Sequence, residues 1–150
     1  MNSLKALIVL YIVVMSTPVL NAQHSKKIKG RVISEDLEIL PGTKIYNMDT
    51  TVLGSTDRDG YFEIEVPIET NELLLGFIGM EWTSAKIEDD CQNLEIIIMA
   101  DVIYDFIPIK KINRKRKKRF RQLPKKHKEA YEKGIFKSSD LCVCYVFIEY

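Results

Sequence analysis

The chain has 150 residues, a net charge of +1 and only two His. This length allows one domain plus an extension, and two His argue against the three-ligand site of catalytic zinc. Residues 23–109 carry seven Lys and Arg against 17 Asp and Glu, a net charge of −10, whereas residues 110–150 carry 14 against 4, a net charge of +10. The acidic part and the basic part therefore need separate interpretations.

The N-terminus has the order of an export signal. Lys5 precedes an uncharged apolar run over 6–15, and Ala22 is a small residue before a cleavage point at Gln23. The run is shorter than the roughly 20 apolar residues that span a bilayer. We expect residues 1–22 to be a signal peptide, and the mature chain to be periplasmic, associated with the outer membrane, or secreted, with no transmembrane segment. An uncleaved anchor or a buried strand is the alternative.

Seven short segments of the acidic part have the pattern of β-strands. In residues 61–66, Phe62, Ile64 and Val66 alternate with polar or amphipathic residues, which is typical of a half-buried strand. Residues 72–78 are apolar on both faces, as in a central strand covered on both sides. Seven strands separated by turns indicate a mainly β protein with a sandwich architecture. The other predicted strands are 27–33, 43–48, 52–56, 81–87 and 93–99.

Turn residues separate several of these strands. Asp57 is expected to cap its turn, and Gly60 is expected to adopt a positive φ angle. A calcium loop is the alternative here, with Glu63 adding an oxygen, although calcium needs six to eight oxygen ligands. The predicted turns depend on Pro41, Gly42, Asp57, Asp59, Gly60 and Gly79.

Four motifs in this part occur in an order and spacing that resemble a known family. They are IKGRV at 28–32, LPG at 40–42, TDRDGYF at 56–62 and LGFIGME at 75–81. Together they resemble the carboxypeptidase regulatory-like domain, a transthyretin-like β-sandwich common in envelope proteins of Bacteroidetes-type bacteria. The resemblance covers residues 26–101. It implies a seven-stranded Greek-key-type β-sandwich with a non-catalytic binding or scaffolding role.

The sequence offers no constellation typical of an active site. His24 lies beside the expected cleavage point, and His127 lies in a Lys-rich run, where we expect a solvated surface residue. There is no Gly-x-Ser-x-Gly elbow and no Gly-rich phosphate loop. Nucleophilic catalysis by a Cys would need a positioned His, and His127 belongs to a different predicted element. We therefore expect no catalytic residues, no metal ligands and no cofactor.

Three Cys follow the expected signal peptide, an odd number for an exported chain. Cys142 and Cys144 are two residues apart in a predicted strand and would face the same side. A disulfide from Cys91 to Cys142 or Cys144 is one expectation for an oxidising compartment. Buried, inert thiols are the alternative, and we favour them slightly because free Cys behaves as a small apolar residue.

The basic extension, residues 102–150, has its own pattern. Residues 110–128 contain 12 Lys and Arg. Pro124 is expected to interrupt any helix there, a helix is predicted over 127–136 with a stop at Gly134, and residues 141–150 are typical of a strand. The candidate contacts for a polyanion are Arg114, Lys115, Arg116, Lys117, Lys118, Arg119 and Arg121.

Two functions remain open for this extension. It can dock on the acidic sandwich, in which case the terminal strand should cover a sheet edge and anchor it, because single surface ion pairs contribute only about 0–1 kcal/mol. We then expect a binding or scaffolding module whose partner is another envelope protein. The alternative is a basic-tail module that binds an anionic glycan, a lipid head group or another polyanion. The export signal argues against nucleic acid.

Overall fold

A computed structural model describes residues 25–88, 91 and 93–149, so the expected signal peptide lies outside the described residues. Within them the chain forms eight strands and two helices. The strands are β1 (Ser25–Ser34), β2 (Lys44–Tyr46), β3 (Val52–Ser55), β4 (Tyr61–Pro67), β5 (Glu72–Gly76), β6 (Thr83–Ile87), β7 (Asn93–Ile98) and β8 (Val143–Val146), and the helices are α1 (Ile109–Phe120) and α2 (Leu123–Glu132).

The strands form two sheets. The three-stranded sheet has the order β4-β1-β7, with β1 antiparallel to β4 and parallel to β7. The five-stranded sheet is antiparallel and has the order β3-β2-β5-β6-β8. The predicted mainly β class is confirmed. The prediction that the C-terminal segment adds a strand is also confirmed, because β8 pairs with β6 at the sheet edge.

The main core lies between the inner faces of the two sheets. Phe62, Ile64 and Val66 of β4 are buried in it, and Glu63 and Glu65 point outward, so the predicted register of this strand is confirmed. Each fully buried apolar side chain of this kind contributes about 1.5–3 kcal/mol. The buried residues of this core are Ile28, Val32, Leu40, Ile45, Phe62, Ile64, Val66, Leu73, Leu75, Ala85, Leu94, Ile96, Ile98 and Val143.

A second core covers the outer face of the three-stranded sheet. Ile33 of β1 and Ile97 of β7 point away from the main core and are fully buried. Leu123 and Ala130 of α2 cover them, together with Phe136 beyond the helix. The three-stranded sheet is therefore buried on both faces, and the basic extension supplies one of the two coverings.

The helices differ from their prediction in position. The basic run forms α1, and α2 begins at Leu123 rather than at residue 127. Pro124 lies in the first turn of α2. Backbone N–H groups in the first turn have no acceptor within the helix, so the N–H that proline lacks is not needed there. Gly134 has a φ angle of 71° and follows the helix end, as a stop residue should.

The predicted strand over 72–78 was too long. It ends at Gly76, because the N–H of Met80 donates to the carbonyl of Phe77 and Gly79 adopts a φ angle of 79°, which closes a turn. Ile78 consequently lies in this turn with 95% of its surface exposed, rather than on a covered face.

Candidate functional site

A buried ion pair attaches α1 to the β-sheets. The guanidinium of Arg116 is 2% exposed and the carboxylate of Glu81 is 3% exposed. Arg116 Nε donates to Glu81 Oε1 at 3.0 Å and its Nη2 donates to Oε2 at 2.7 Å, which is the bidentate geometry of a strong pair. Its Nη1 also donates to the carbonyl of Ile148 at 2.9 Å. One arginine thus joins the helix, the segment before β6 and the C-terminal segment.

A second arginine extends this ionic cluster. Arg119 donates from Nη2 to a carboxylate oxygen of Glu35 and, at 2.8 Å, to the carbonyl of Ala100. Its Nε donates to Glu35 Oε2 at 3.2 Å, and its Nη1 lies 3.7 Å from Glu81 Oε1. Burial acts to lower the pKa of Arg119, but the hydrogen bonds and charge of Glu35 outweigh it and raise the pKa above its ordinary value. The extension is therefore docked on acidic residues that lie just after β1 and just before β6.

This docking corrects two of the seven predicted polyanion contacts. Arg116 and Arg119 face the sheets, because they lie three residues apart on one face of α1. Their guanidinium groups are occupied by carboxylates and carbonyl groups. The other five predicted contacts are exposed: Arg114, Lys115, Lys117, Lys118 and Arg121.

The outward face of α1 is consequently basic. Lys111, Arg114 and Lys118 are exposed at helical spacing, and no acid of the described residues forms an ion pair with any of them. Helix α1 itself contains no Asp or Glu. We call these three residues, together with their exposed neighbours Lys110, Lys115 and Arg121, the basic face.

His127 is not a solvated surface residue, and that expectation was wrong. Leu123, His127 and Ala130 are spaced along one face of α2, and this face packs on the outer side of the three-stranded sheet. His127 is 1% exposed, its ring centroid is 4.9 Å from that of Phe136, and its Nε2 is 3.8 Å from Glu95 Oε2. Neither ring nitrogen has a hydrogen-bond partner among the described residues.

The environment of His127 favours its neutral form. Burial lowers its pKa below the ordinary value, against the opposing attraction of Glu95 and Asp140. The carboxylate of Glu95 is already held by the backbone N–H groups of Lys137 at 2.5 Å and Ser138 at 3.1 Å. Protonation of His127 would therefore place a charge in a region that supplies it no hydrogen bond.

We expect His127→Leu to reduce the loss of stability in mild acid. The pKa of His127 in the folded state lies below the unfolded value of about 6.5. Its contribution to the free energy of unfolding is therefore fully present above that pH and declines below it, because the unfolded chain takes up the proton more readily. The variant should match or slightly exceed the parent at about pH 7.5, since no hydrogen bond is lost, and should lose less stability by about pH 5.5. Urea melts at the two pH values measure this.

Lys125→Leu is the matched control, because Lys125 is exposed on the same helix. It should keep the pH dependence of the parent. A His127→Leu variant that loses as much stability as the parent between the two pH values would contradict the role given to His127. The lowered pKa values of Glu63 and Glu129, set mainly by hydrogen bonds from Lys29 and Lys133, act below this window.

The predicted turn residues have structural roles. Asp57 Oδ1 accepts hydrogen bonds from the N–H groups of Asp59 at 2.9 Å and Tyr61 at 2.8 Å, and Gly60 has the expected positive φ angle of 77°. Pro41 precedes Gly42, which has a φ angle of 80°. Glu63, the oxygen donor of the calcium alternative, pairs instead with Lys29 at 2.9 Å. No group of three or more metal-ligating side chains occurs within the described residues.

Two of the three Cys form a disulfide in the structure, so the slightly favoured expectation of buried, inert thiols was wrong. Cys91 and Cys142 are joined, with their Cα atoms 5.7 Å apart. The bond ties the segment after β6 to the residue that precedes β8. Cys144 is exposed and is not part of a disulfide.

A cleft on the five-stranded sheet was missed by the sequence interpretation. Trp82 lies over Gly76, where a Cβ atom would be only 2.7 Å from the indole ring. The Tyr46 ring lies beside it, with centroids 5.4 Å apart. With Phe77 and Ile78 they line an open cleft of about 350 Å³. The sequence signal was a Gly in an otherwise apolar strand, which often marks a close approach of another group.

Comparison with known proteins assigns no family. The sequence matches no protein-family model, and no curated protein matches it. Among the described residues, no helix has both the length and the apolar character needed to cross a bilayer.

Proposed function

We propose that this chain is a non-catalytic binding module, exported to the bacterial cell envelope, whose residues 26–101 form a carboxypeptidase regulatory-like sandwich. The shared core of two β-sheets and the turns at Gly42 and Gly60 support this proposal. The disulfide between Cys91 and Cys142 is compatible with an oxidising compartment. On this proposal the module is periplasmic or associated with the outer membrane.

Docking of the extension favours the scaffolding function expected from the sequence, but docking uses only two of the candidate cations, and the exposed cations that remain fit a polyanion best. The observation that carries this conclusion is that the cations of α1 fall into two groups, one buried and paired and the other exposed. Arg116 and Arg119 attach the helix to the sheets, while the basic face remains exposed and without carboxylate partners in the described part of the chain. A helical row of like charges attracts an oppositely charged surface more strongly than the small net charge of the whole chain suggests.

Retention on immobilised heparin, used as a model polyanion, tests this function. Lys111, Arg114 and Lys118 replaced together by Gln should elute at clearly lower salt than the parent. Lys44, Arg58 and Lys86 replaced together by Gln form the control, because these side chains are also exposed and remove the same charge from other elements. Binding should disappear at about 0.5 M salt, where screening is strong.

Equal loss in both triple variants would contradict a defined surface and would indicate attraction by net charge alone. Unchanged retention of the helix variant would contradict the polyanion function itself. Both variants should fold, because exposed substitutions away from special features usually change stability by only about 0.5 kcal/mol. Circular dichroism melts check that they do.

A protein partner is the second candidate, and the aromatic cleft favours it. Tyr and Trp are enriched at protein interfaces, and the half-buried Tyr46 meets the exposed Trp82 and Ile78 here. Pull-downs from envelope fractions with Trp82→Ser and with the helix triple variant distinguish the two functions. A protein captured by the parent and lost only with Trp82→Ser supports a scaffold, whereas loss only with the helix variant supports the polyanion surface.

A further inference from the structure

The linker between β7 and α1 exposes an unusual number of apolar side chains. Ile103 is 85% exposed, Phe106 is fully exposed, and Val102 and Ile109 are also exposed, all within eight residues. Single exposed apolar residues are ordinary, but a group of them marks an interaction site. Phe106 also has a φ angle of 55°, a conformation that is uncommon outside Gly. The backbone therefore presents this ring to solvent at a conformational cost.

A second exposed loop lies beside this linker. The N–H of Asp101 donates to the carbonyl of Gly79 at 2.9 Å, and Met80 pairs with Ala100 in an isolated bridge. Ile78, which is almost fully exposed, immediately precedes Gly79. These contacts bring the loop of Ile78 beside the start of the linker, and Lys115 Nζ lies 5.2 Å from the Tyr104 ring centroid, so the linker also lies against α1. We call Ile78, Val102, Ile103 and Phe106 the apolar tip.

Along the chain, the basic face follows the apolar tip directly. Helix α1 starts at Ile109, and Lys110 and Lys111 occupy its first turn, which contains no acidic residue. Cations at a helix N-terminus oppose the helix dipole and are unfavourable for the helix itself. Docking does not require them either, because Arg116 and Arg119 make the contacts with Glu81 and Glu35. Their position instead matches an external negative charge next to the apolar tip.

We propose that the apolar tip and the basic face together bind the surface of an anionic phospholipid bilayer. The tip inserts among the upper acyl carbons, and Lys110, Lys111 and Arg114 contact the phosphates. This inference rests on the proposed polyanion function and goes beyond it by naming a lipid surface. A soluble polyanion gains nothing from Ile103 or Phe106, whereas apolar side chains flanked by Lys and Arg are typical of proteins that lie in a membrane interface.

The effect of each part follows from its physical nature. A Lys or Arg near an anionic leaflet contributes about fivefold in affinity, and this contribution falls with salt. Inserted apolar side chains contribute in proportion to their buried carbons, on the order of tenfold or more for Ile103 and Phe106 together. Their contribution is independent of salt and of lipid charge. Full affinity therefore needs both an anionic leaflet and an intact tip.

Co-sedimentation with vesicles tests this inference on the expected mature chain, residues 23–150. The vesicles are pure phosphatidylcholine or an equal mixture of phosphatidylcholine and phosphatidylglycerol. The double variant Ile103→Ser with Phe106→Ser is compared with Val52→Ser and Ile68→Ser, which removes two exposed apolar residues far along the chain from α1. All samples begin at Gln23, so the apolar segment 6–15 does not contribute to vesicle binding.

Trp82 gives an independent readout because it is the only Trp of the chain. It lines the same cleft as Ile78, a residue of the apolar tip, so it reports on insertion next to that residue. Lipids brominated on the acyl chains should quench its fluorescence when the tip inserts. The quenching should be weaker for the tip variant and unchanged for the control variant.

The expected result is binding to the anionic vesicles alone, about tenfold weaker for the tip variant, with heparin retention unchanged. A tip variant that binds these vesicles as the parent does would overturn the lipid inference while leaving the polyanion function intact. The lipid inference would also be overturned if the parent forms a dimer that only the tip substitutions dissociate, while vesicle binding is unaffected. If the helix triple variant binds both heparin and the vesicles as the parent does, the proposed polyanion function itself is contradicted.

Discussion

Arg116→Ala is expected to lower the free energy of unfolding by about 3–5 kcal/mol, because it leaves a buried carboxylate without its principal partner. Among the described residues, the carboxylate of Glu81 would then have only the more distant Arg119 as a partner, with Nη1 at 3.7 Å from Oε1. The substitution also removes the hydrogen bond to the carbonyl of Ile148. Urea melts measure the loss. The loss should persist at high salt, since a buried pair is screened much less than an exposed one.

Arg114→Ala is the matched control for this prediction. Arg114 is exposed on the same helix, so its removal should change stability by no more than about 0.5 kcal/mol. Replacing both partners, Arg116→Met with Glu81→Leu, should recover much of the loss, because an apolar pair leaves no buried charge. Equal effects of Arg116→Ala and Arg114→Ala would show that the buried pair does not anchor the helix.

Deletion of residues 141–150 is the second change for which we expect a large effect. It removes the disulfide, whose two Cys are 51 residues apart, and loop-closure entropy alone then costs roughly 4 kcal/mol. It also removes Val143 from the main core and exposes β6 as a free sheet edge. The shortened chain should melt at lower temperature and aggregate at any ionic strength.

The deletion has a further consequence on the three-stranded sheet. The hydroxyl of Tyr145 accepts a hydrogen bond from the N–H of Ile97 at 2.8 Å, and this buried N–H would lose its partner. Burial raises the pKa of Tyr145, so the hydroxyl stays protonated over the ordinary pH range.

Cys142→Ser in the full-length chain separates these contributions. It removes only the disulfide and should account for part of the loss of stability, with β8 still paired to β6 and solubility retained. Thermal melts and light scattering of the two variants make the comparison. A deleted chain that melts and stays soluble like the parent would show that the terminal segment contributes nothing to the fold.

The candidate site was predicted in composition but not in geometry. The sequence placed a basic segment after the acidic strands, and its exposed residues Arg114, Lys115 and Lys118 were among the predicted contacts. Arg116 and Arg119 have the same side chain as Arg114, so composition alone could not separate docking residues from exposed ones. Their partners, Glu81 and Glu35, lie 35 and 84 residues away in the chain. Only the fold determines which arginine meets which carboxylate.

The sequence by itself determined the local features of this protein. The alternation of residues 61–66 sets which face of β4 is buried, and the Asp57–Gly60 turn follows from a side chain that caps its own backbone and a Gly that tolerates a positive φ angle. The apolar C-terminal segment predicted a further strand, which β8 confirms. These features depend on residues within a few positions of one another, so a single sequence contains them.

The tertiary structure alone decided the features that depend on distant residues. The local pattern did not predict the parallel pairing of β1 with β7. It predicted the opposite of what is found for His127, which is buried, and for Ile78, which is exposed. His127 is buried because α2 turns its face toward the outer side of the three-stranded sheet, where apolar burial outweighs the cost of an imidazole without hydrogen bonds. Ile78 is exposed because the turn at Gly79 takes it out of the strand. Whether a residue is buried depends on the surfaces that pack around it, and these come from distant parts of the chain.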